Sequence, residues 1–241
     1  MNSQTLQKYI ALFVILFINF LFSVKYLSRY TDSFLIISIL ILLSQGILIN
    51  YRRVFINVFQ NLKINNLSLL LFFSIISIVG AYKTPMENLH IDRWSVITSF
   101  WDNYFNDLYA YKAQSFDGNY PGPMPFYFLI MLPFYLIREF SYITIIGIFI
   151  LYFLLNTKKA KDSYSLFIIS SIPILYEVLT RSNIFFNSTI IIFSLHYFLD
   201  NKRHNSIFNG IIIGLFLSTR NVFIIPYEIV FIYSLRIKSY Y

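Results

Sequence analysis

Nine apolar runs limit what this chain can fold into: 9–24, 33–50, 67–82, 122–137, 142–156, 164–180, 184–199, 206–219 and 222–235. A membrane-crossing helix needs about 20 mostly apolar residues, and several runs approach that length. A lone open strand cannot satisfy its backbone in hydrocarbon, so the runs read as helices. The expected fold is all-α: a polytopic integral membrane protein with eight or nine membrane helices, in one transmembrane domain over 1–241. Charged residues make up only 12% of the chain, against about 25% in a soluble domain. The first run ends at Lys25 without a small-residue cleavage site, so it reads as a retained span rather than a removable signal.

The chain has no cysteine. That excludes disulfides, thiolate metal sites and a cysteine nucleophile. The net charge of +8 would suggest nucleic acid in a soluble protein. Here no Lys/Arg run is long enough for a nucleic-acid patch, and the basic residues read as topology signals in short loops. No P-loop, GxGxxG or HExxH pattern occurs.

One connection differs from the others. The stretch 83–121 holds five of the eleven acidic residues, Glu87, Asp92, Asp102, Asp107 and Asp117, against three basic ones, Lys83, Arg93 and Lys112. Within it Trp94, Ile97, Trp101, Tyr104 and Leu108 recur at the three- and four-residue spacing of one helical face. This predicts an amphipathic helix over about 93–108, lying along the membrane surface with its aromatic residues at the interface. "DGNYPGPMP" (117–125) then turns the chain back toward the bilayer.

Arg52, Arg53 and Lys63 place the 51–66 loop in the cytoplasm, so the 83–121 loop is expected on the outer face of the cell (inner) membrane. The basic loops 156–163 and 201–206 also look cytoplasmic. That parity fails if 122–137 and 142–156 both cross fully. The favoured resolution is that the proline-rich 121–137 segment does not. "TRSN" (180–183) and "STRN" (218–221) then lie on the side of Asp92.

The order of features is similar to the GT-C superfamily of membrane glycosyltransferases, in its GPI-mannosyltransferase and polyprenyl-phosphate-mannose branch. An external loop opens with Asp92. "NDLYAY" (106–111) follows, and "NYPGPMPFYFL" (119–129) stands where the family has a Tyr-Pro-Pro re-entry. "LTRSNIFFNS" (179–188) is similar to the family's Arg-x5-Asn segment. "GIIIGLFLSTRNVFIIP" (210–226) is similar to its Gly-Leu…Lys…Pro segment. The resemblance covers roughly 67–235, with 1–66 as a preceding helix pair. Family members run longer, so the chain also reads as the N-terminal portion of such an enzyme.

The resemblance implies inverting transfer of a mannose-like hexose from a polyprenyl-phosphate carrier to an envelope glycan or lipid acceptor. Such a reaction needs a general base on the acceptor hydroxyl. It also needs a cation, from Arg, Lys or a divalent metal ion, to stabilise the departing lipid phosphate. Asp92 is the candidate base; capping the following helix is its alternative role. Arg93, Arg181 and Arg220 are the candidates for the phosphate. Snorkelling at helix ends is the alternative for Arg181 and Arg220, which interrupt apolar stretches. Asn183 and Asn187 lie one turn apart and could bind sugar hydroxyls or serve as polar contacts between helices. Tyr120, with Tyr104, Tyr109 and Tyr111, could stack on a sugar ring. Asp102 and Asp107 read as a solvated face, and His90 and Glu87 as polar loop residues. No metal ligand is assigned, and the lipid-linked sugar is the only donor implied. Glu177 and Glu228, isolated in apolar runs, support a second reading: a transporter or flippase of lipid-linked glycans. An inactive fragment of such an enzyme is a third.

Overall fold

The structure is a computed structural model that describes residues 3–86, 91–122, 125–157, 164–200, 206–219 and 224–238. The described residues are helical with no strand. In order the helices are α1 (Ser3–Leu27), α2 (Phe34–Asn50), α3 (Arg52–Asn61), α4 (Asn66–Lys83), α5 (Arg93–Phe105), α6 (Pro125–Leu136), α7 (Ser141–Thr157), α8 (Tyr164–Ser170), α9 (Ile172–Leu179), α10 (Ile184–Asp200), α11 (Ser206–Leu217) and α12 (Ile224–Lys238). A 3-10 turn, Ala110–Lys112, lies between α5 and α6.

Every apolar run contains helix among its described residues, but not every helix is long and apolar enough to cross a membrane. Among the described residues two helices are long and apolar enough to cross a membrane, Thr5–Leu27 and Asn66–Lys83. The number rises to five if each of three bent pairs counts as one span: α2 with α3 (70°), α6 with α7 (115°) and α9 with α10 (119°). Run length overstated the helices because breaks fall inside or beside them. The 164–180 run splits at Ser171, two residues before Pro173, where a proline disfavours continuous helix. The 51–66 connection, expected as a loop, contains α3.

The chain divides into two compact units, 1–77 with 157–176, and 78–156 with 177–241. In the first, α1 packs along α2, and a polar staple ties the pair to the α8–α9 break. The Asn19 side-chain carbonyl accepts the Ile172 N–H at 3.1 Å and the Gln45 amide at 3.4 Å. The Gln45 amide also donates to the Ser170 carbonyl at 2.5 Å. These bonds satisfy backbone groups that the break leaves without helical partners.

In the second unit the core is aromatic. Ile97, Phe100 and Trp101 of α5 bury against Tyr127, Phe128, Met131 and Tyr135 of α6. Phe100 stacks on Phe128 with centroids 3.7 Å apart, and the Trp101 indole donates to the Phe128 carbonyl at 3.2 Å. α7 and α10 approach closely at Gly147, where a Cβ would meet the Phe186 Cα at 3.0 Å.

The helix expected over 93–108 exists, but it ends at Phe105. Asn106 closes it onto the Asp102 carbonyl, and Asp107 adopts a left-handed φ of 57°. Its apolar face is split. Ile97 and Trp101 pack on protein, whereas Tyr104 and Leu108 are exposed. The periodicity thus marked, in part, a packing face.

Candidate functional site

Asp92 stands at the N-cap position of α5, yet its side chain makes no capping bond. Its carboxylate instead holds the loop after the 3-10 turn. Oδ2 accepts the Ser115 hydroxyl at 2.9 Å and the Asn119 amide at 2.6 Å. That loop is a closed turn. Ser115 N–H donates to the Asn119 carbonyl at 2.9 Å, Gly118 N–H to the Ser115 carbonyl at 2.8 Å, and Gly118 takes φ +78°. Ser95 links helix to loop, donating to the Asp92 carbonyl and accepting the Phe116 N–H. Both bonds to the Asp92 carboxylate fall on Oδ2, and among the described residues Oδ1 has no hydrogen-bond partner.

Asp92 and Arg93 wall a cavity of about 240 Å³ together with Asn119, Tyr120 and Tyr127. Tyr120 is exposed and accepts the Gln114 amide at 3.0 Å. Tyr127 is buried and receives a bond from the Asn183 amide. The Arg93 guanidinium donates to the Ser182 hydroxyl and lies 3.9 Å from the Glu177 carboxylate. So Asp92, Arg93, Tyr120 and Asn183 come together, Asn183 through Tyr127. Asn187 follows one turn later on α10; its amide nitrogen and the Asn183 side-chain carbonyl are buried and have no hydrogen-bond partner among the described residues.

Glu177 gains a definite role. Its Oε2 accepts the Phe185 N–H at 2.7 Å, so it reaches across the α9–α10 bend and caps the start of α10. A carboxylate there satisfies an unpaired N–H and complements the helix dipole.

Arg181 belongs to a separate cluster. It pairs with Glu139 at 3.1 Å, and the two side chains are 4% and 3% exposed. Its remaining donors reach the Ala81 carbonyl at 2.7 Å and the Thr84 carbonyl at 3.1 Å. Arg181 thus caps the C-terminal end of α4, while Glu139 accepts the Ser141 N–H at 2.9 Å and caps the start of α7. Each charge sits at the helix end whose dipole favours it. Arg181 does not line the cavity of Asp92. Arg220 lies outside the described residues, as do His90 and Glu87.

Asp102, expected on a solvated face, accepts the Tyr135 hydroxyl at 2.6 Å and stands 4.0 Å from Arg138. Asp107 is exposed. Tyr111 packs edge-on against Phe100 and Phe128, and burial pushes its phenol above the ordinary value. Tyr104 and Tyr109 are exposed. Among the described residues no group of three or more His, Asp or Glu side chains is placed to hold a metal ion.

Sequence reasoning missed Glu139, Ser115, Asn119, Tyr127 and Ser182. Glu139 had a usable signal: it stands just before an apolar run, where an acid complements a helix start. The others are ordinary polar or aromatic residues whose importance comes only from what they touch. Family models, curated proteins and solved structures were all compared with the chain, and none matches it.

Proposed function

We propose that the chain is a multi-pass membrane glycosyltransferase that moves a mannose-like hexose from a polyprenyl-phosphate carrier to an envelope glycan or lipid acceptor, with inversion. The observation that carries this reading is that Asp92, whose Oδ1 has no hydrogen-bond partner among the described residues, and Arg93 both line one cavity. A carboxylate with a free lone pair can take the acceptor hydroxyl proton. The acceptor oxygen then bonds to the anomeric carbon as the bond from that carbon to the phosphate oxygen breaks. The polyprenyl phosphate leaves with the electron pair, and Arg93 offsets its charge. The proton on Asp92 passes to water. Tyr120 offers an exposed ring for stacking, while buried Asn183 serves the cavity through its bond to Tyr127.

The bilayer placement rests on the long apolar helices and on the bends. α6 has twelve residues, about 18 Å of helix, against about 30 Å of hydrocarbon. With a 115° bend before α7, the α6–α7 pair fits one broken crossing, in which α6 enters only part of the bilayer and α7 completes the passage. That restores the loop parity and puts 180–183 on the outer face with Asp92. The Arg93–Ser182 bond supports the same arrangement. In this reading Arg181 anchors the site from outside it, and the phosphate belongs to Arg93.

The transporter reading draws on the Arg93–Glu177 pair within apolar sequence. A proton- or ion-coupled Glu177 would have to give up its bonds at the start of α10, which favours the enzyme. The test is single-turnover transfer from radiolabelled polyprenyl-phosphate hexoses in purified membranes, wild type beside Asp92→Asn. Loss of at least about a hundredfold at equal abundance is expected for a general base. Equal rates would remove Asp92 from the mechanism. Carrier flux without transfer would establish the transporter.

A further inference from the structure

The feature that neither the apolar runs nor the candidate site explains is α3 (Arg52–Asn61). It begins one residue after α2 ends, at a bend of 70°. α2 has seventeen residues, about 25 Å of helix. That length nearly crosses the hydrocarbon by itself. If α3 continued the span, Arg52 and Arg53 would lie within the bilayer, at a cost of a few kcal/mol each.

The sequence of α3 has two faces. Val54, Phe55, Val58, Phe59 and Leu62 follow one side at helical spacing, and Arg53, Asn57 and Asn61 follow the other. In a soluble fold the apolar side would be buried. Here Val54 is 57% exposed, Phe55 37%, Val58 46% and Leu62 62%. The basic residues are also placed for a surface. Arg52 folds back onto the Ile49 carbonyl at 2.8 Å and caps α2. Arg53 and Lys63 are exposed, and the 51–66 stretch contains no acidic residue. Apolar side chains on one face, an uncompensated Arg53 on the other and Lys63 just past the helix end match a helix that lies in a membrane interface. Uncompensated cations near the surface favour anionic headgroups, by about 1 kcal/mol each.

We propose that α3 docks flat on an anionic phospholipid surface, with Val54, Phe55, Val58 and Leu62 among the acyl chains and Arg53 and Lys63 against the headgroups. The inference rests on the reading of α2 as a membrane helix.

The absence of cysteine makes the test direct. Single substitutions Val58→Cys, Asn57→Cys and Ile39→Cys, the last within α2, each give one site for an environment-sensitive fluorophore. The full chain is reconstituted in vesicles of phosphatidylcholine, or of phosphatidylcholine and phosphatidylglycerol in equal parts. Aqueous acrylamide and spin-labelled lipids with shallow or deep labels serve as quenchers. The expected result is strongest quenching by the shallow lipid at Val58→Cys and by the deep lipid at Ile39→Cys. Acrylamide should reach Asn57→Cys at least about fivefold better than Val58→Cys. Adding Arg53→Gln with Lys63→Gln should raise acrylamide access to Val58→Cys in the phosphatidylglycerol vesicles only.

Equal acrylamide access at Asn57→Cys and Val58→Cys would overturn the docking. Deep-lipid quenching of Val58→Cys would make α3 part of a span, and protection from all quenchers would mean that protein covers it. No change on removing the two charges would overturn the anionic preference. Acrylamide quenching of Ile39→Cys would instead sink the membrane reading of α2 itself, so the two failures are distinguishable.

Discussion

Two acid–base clusters in one unit use the same residue types for opposite ends. Glu139 and Arg181 are almost fully buried, and their bonds reach the ends of α4 and α7. Asp92 and Arg93 are half-buried and border a cavity, and one Asp92 carboxylate oxygen has no hydrogen-bond partner among the described residues. The difference shows that a charge in an apolar chain does not mark a site by itself. Unused bonding capacity next to a cavity is the better indicator. In the sequence, Arg181 stood beside Arg93 as a phosphate candidate because it interrupts an apolar stretch. The structure separates them by what their N–H groups already hold.

The largest effect should come from breaking the buried pair. Glu139→Gln or Arg181→Met leaves one charge buried without its partner, at about 3–5 kcal/mol. Thermal unfolding in detergent should show a large drop in midpoint for either variant. The double variant Glu139→Gln with Arg181→Met should recover a substantial part, because no lone charge is left. If either single variant unfolds like wild type, the pair does not hold the ends of α4 and α7 and the contrast with Asp92 collapses.

Next comes Asp92→Asn. The Asn side-chain carbonyl can still accept the bonds from Ser115 and Asn119, so stability should change by no more than about 1 kcal/mol. Transfer should fall at least about a hundredfold, which corresponds to about 2.7 kcal/mol in the barrier. The two cluster variants thus predict opposite patterns: unfolding at Glu139, inactivity without unfolding at Asp92. A destabilised Asp92→Asn protein with unchanged transfer per folded molecule would reverse the assignment.

Arg93→Lys probes the cation more finely. Lysine keeps the charge but not the planar fork that serves both Ser182 and an incoming phosphate. Transfer should fall by about tenfold, mostly as weaker donor binding, while the fold persists. A rise in KM for the donor with little change in kcat would check this. An unchanged KM would remove Arg93 from phosphate binding.

Much of the fold was legible because helix periodicity and apolar run length are local signals. α1, α2, α4, α7, α10 and α12 fall close to where the runs put them. Helix breaks were harder to see. The Ser171 break is held by Asn19, distant in sequence, and the Glu139 that caps Ser141 is itself held by the distant Arg181. α3 was missed because ten residues with two arginines resemble a basic loop until their two faces are counted. At the site, Asp92 and Arg93 stood out by their charge. Ser115 and Asn119 did not, because a serine and an asparagine in a polar loop carry no signal until the turn brings them onto a carboxylate.

The smallest predicted effect tests that turn. The Asp92 cluster hangs on a loop, while the Glu139 cluster hangs on helix ends, so only the first should respond to loop strain. Gly118 takes φ +78° with open space around it. Gly118→Ala therefore meets no clash, but it places a Cβ in a conformation that costs an L-residue about 1–2 kcal/mol. The turn can relieve this by loosening the bonds of Ser115 and Asn119 to Asp92 rather than by unfolding the unit. The expected outcome is a thermal midpoint close to wild type and a transfer rate several-fold lower. Gly118→Asn, which tolerates left-handed backbone better, should recover part of the rate. A rate unchanged in Gly118→Ala would mean that the loop does not position Asp92, and the carboxylate would then owe its orientation to α5 alone.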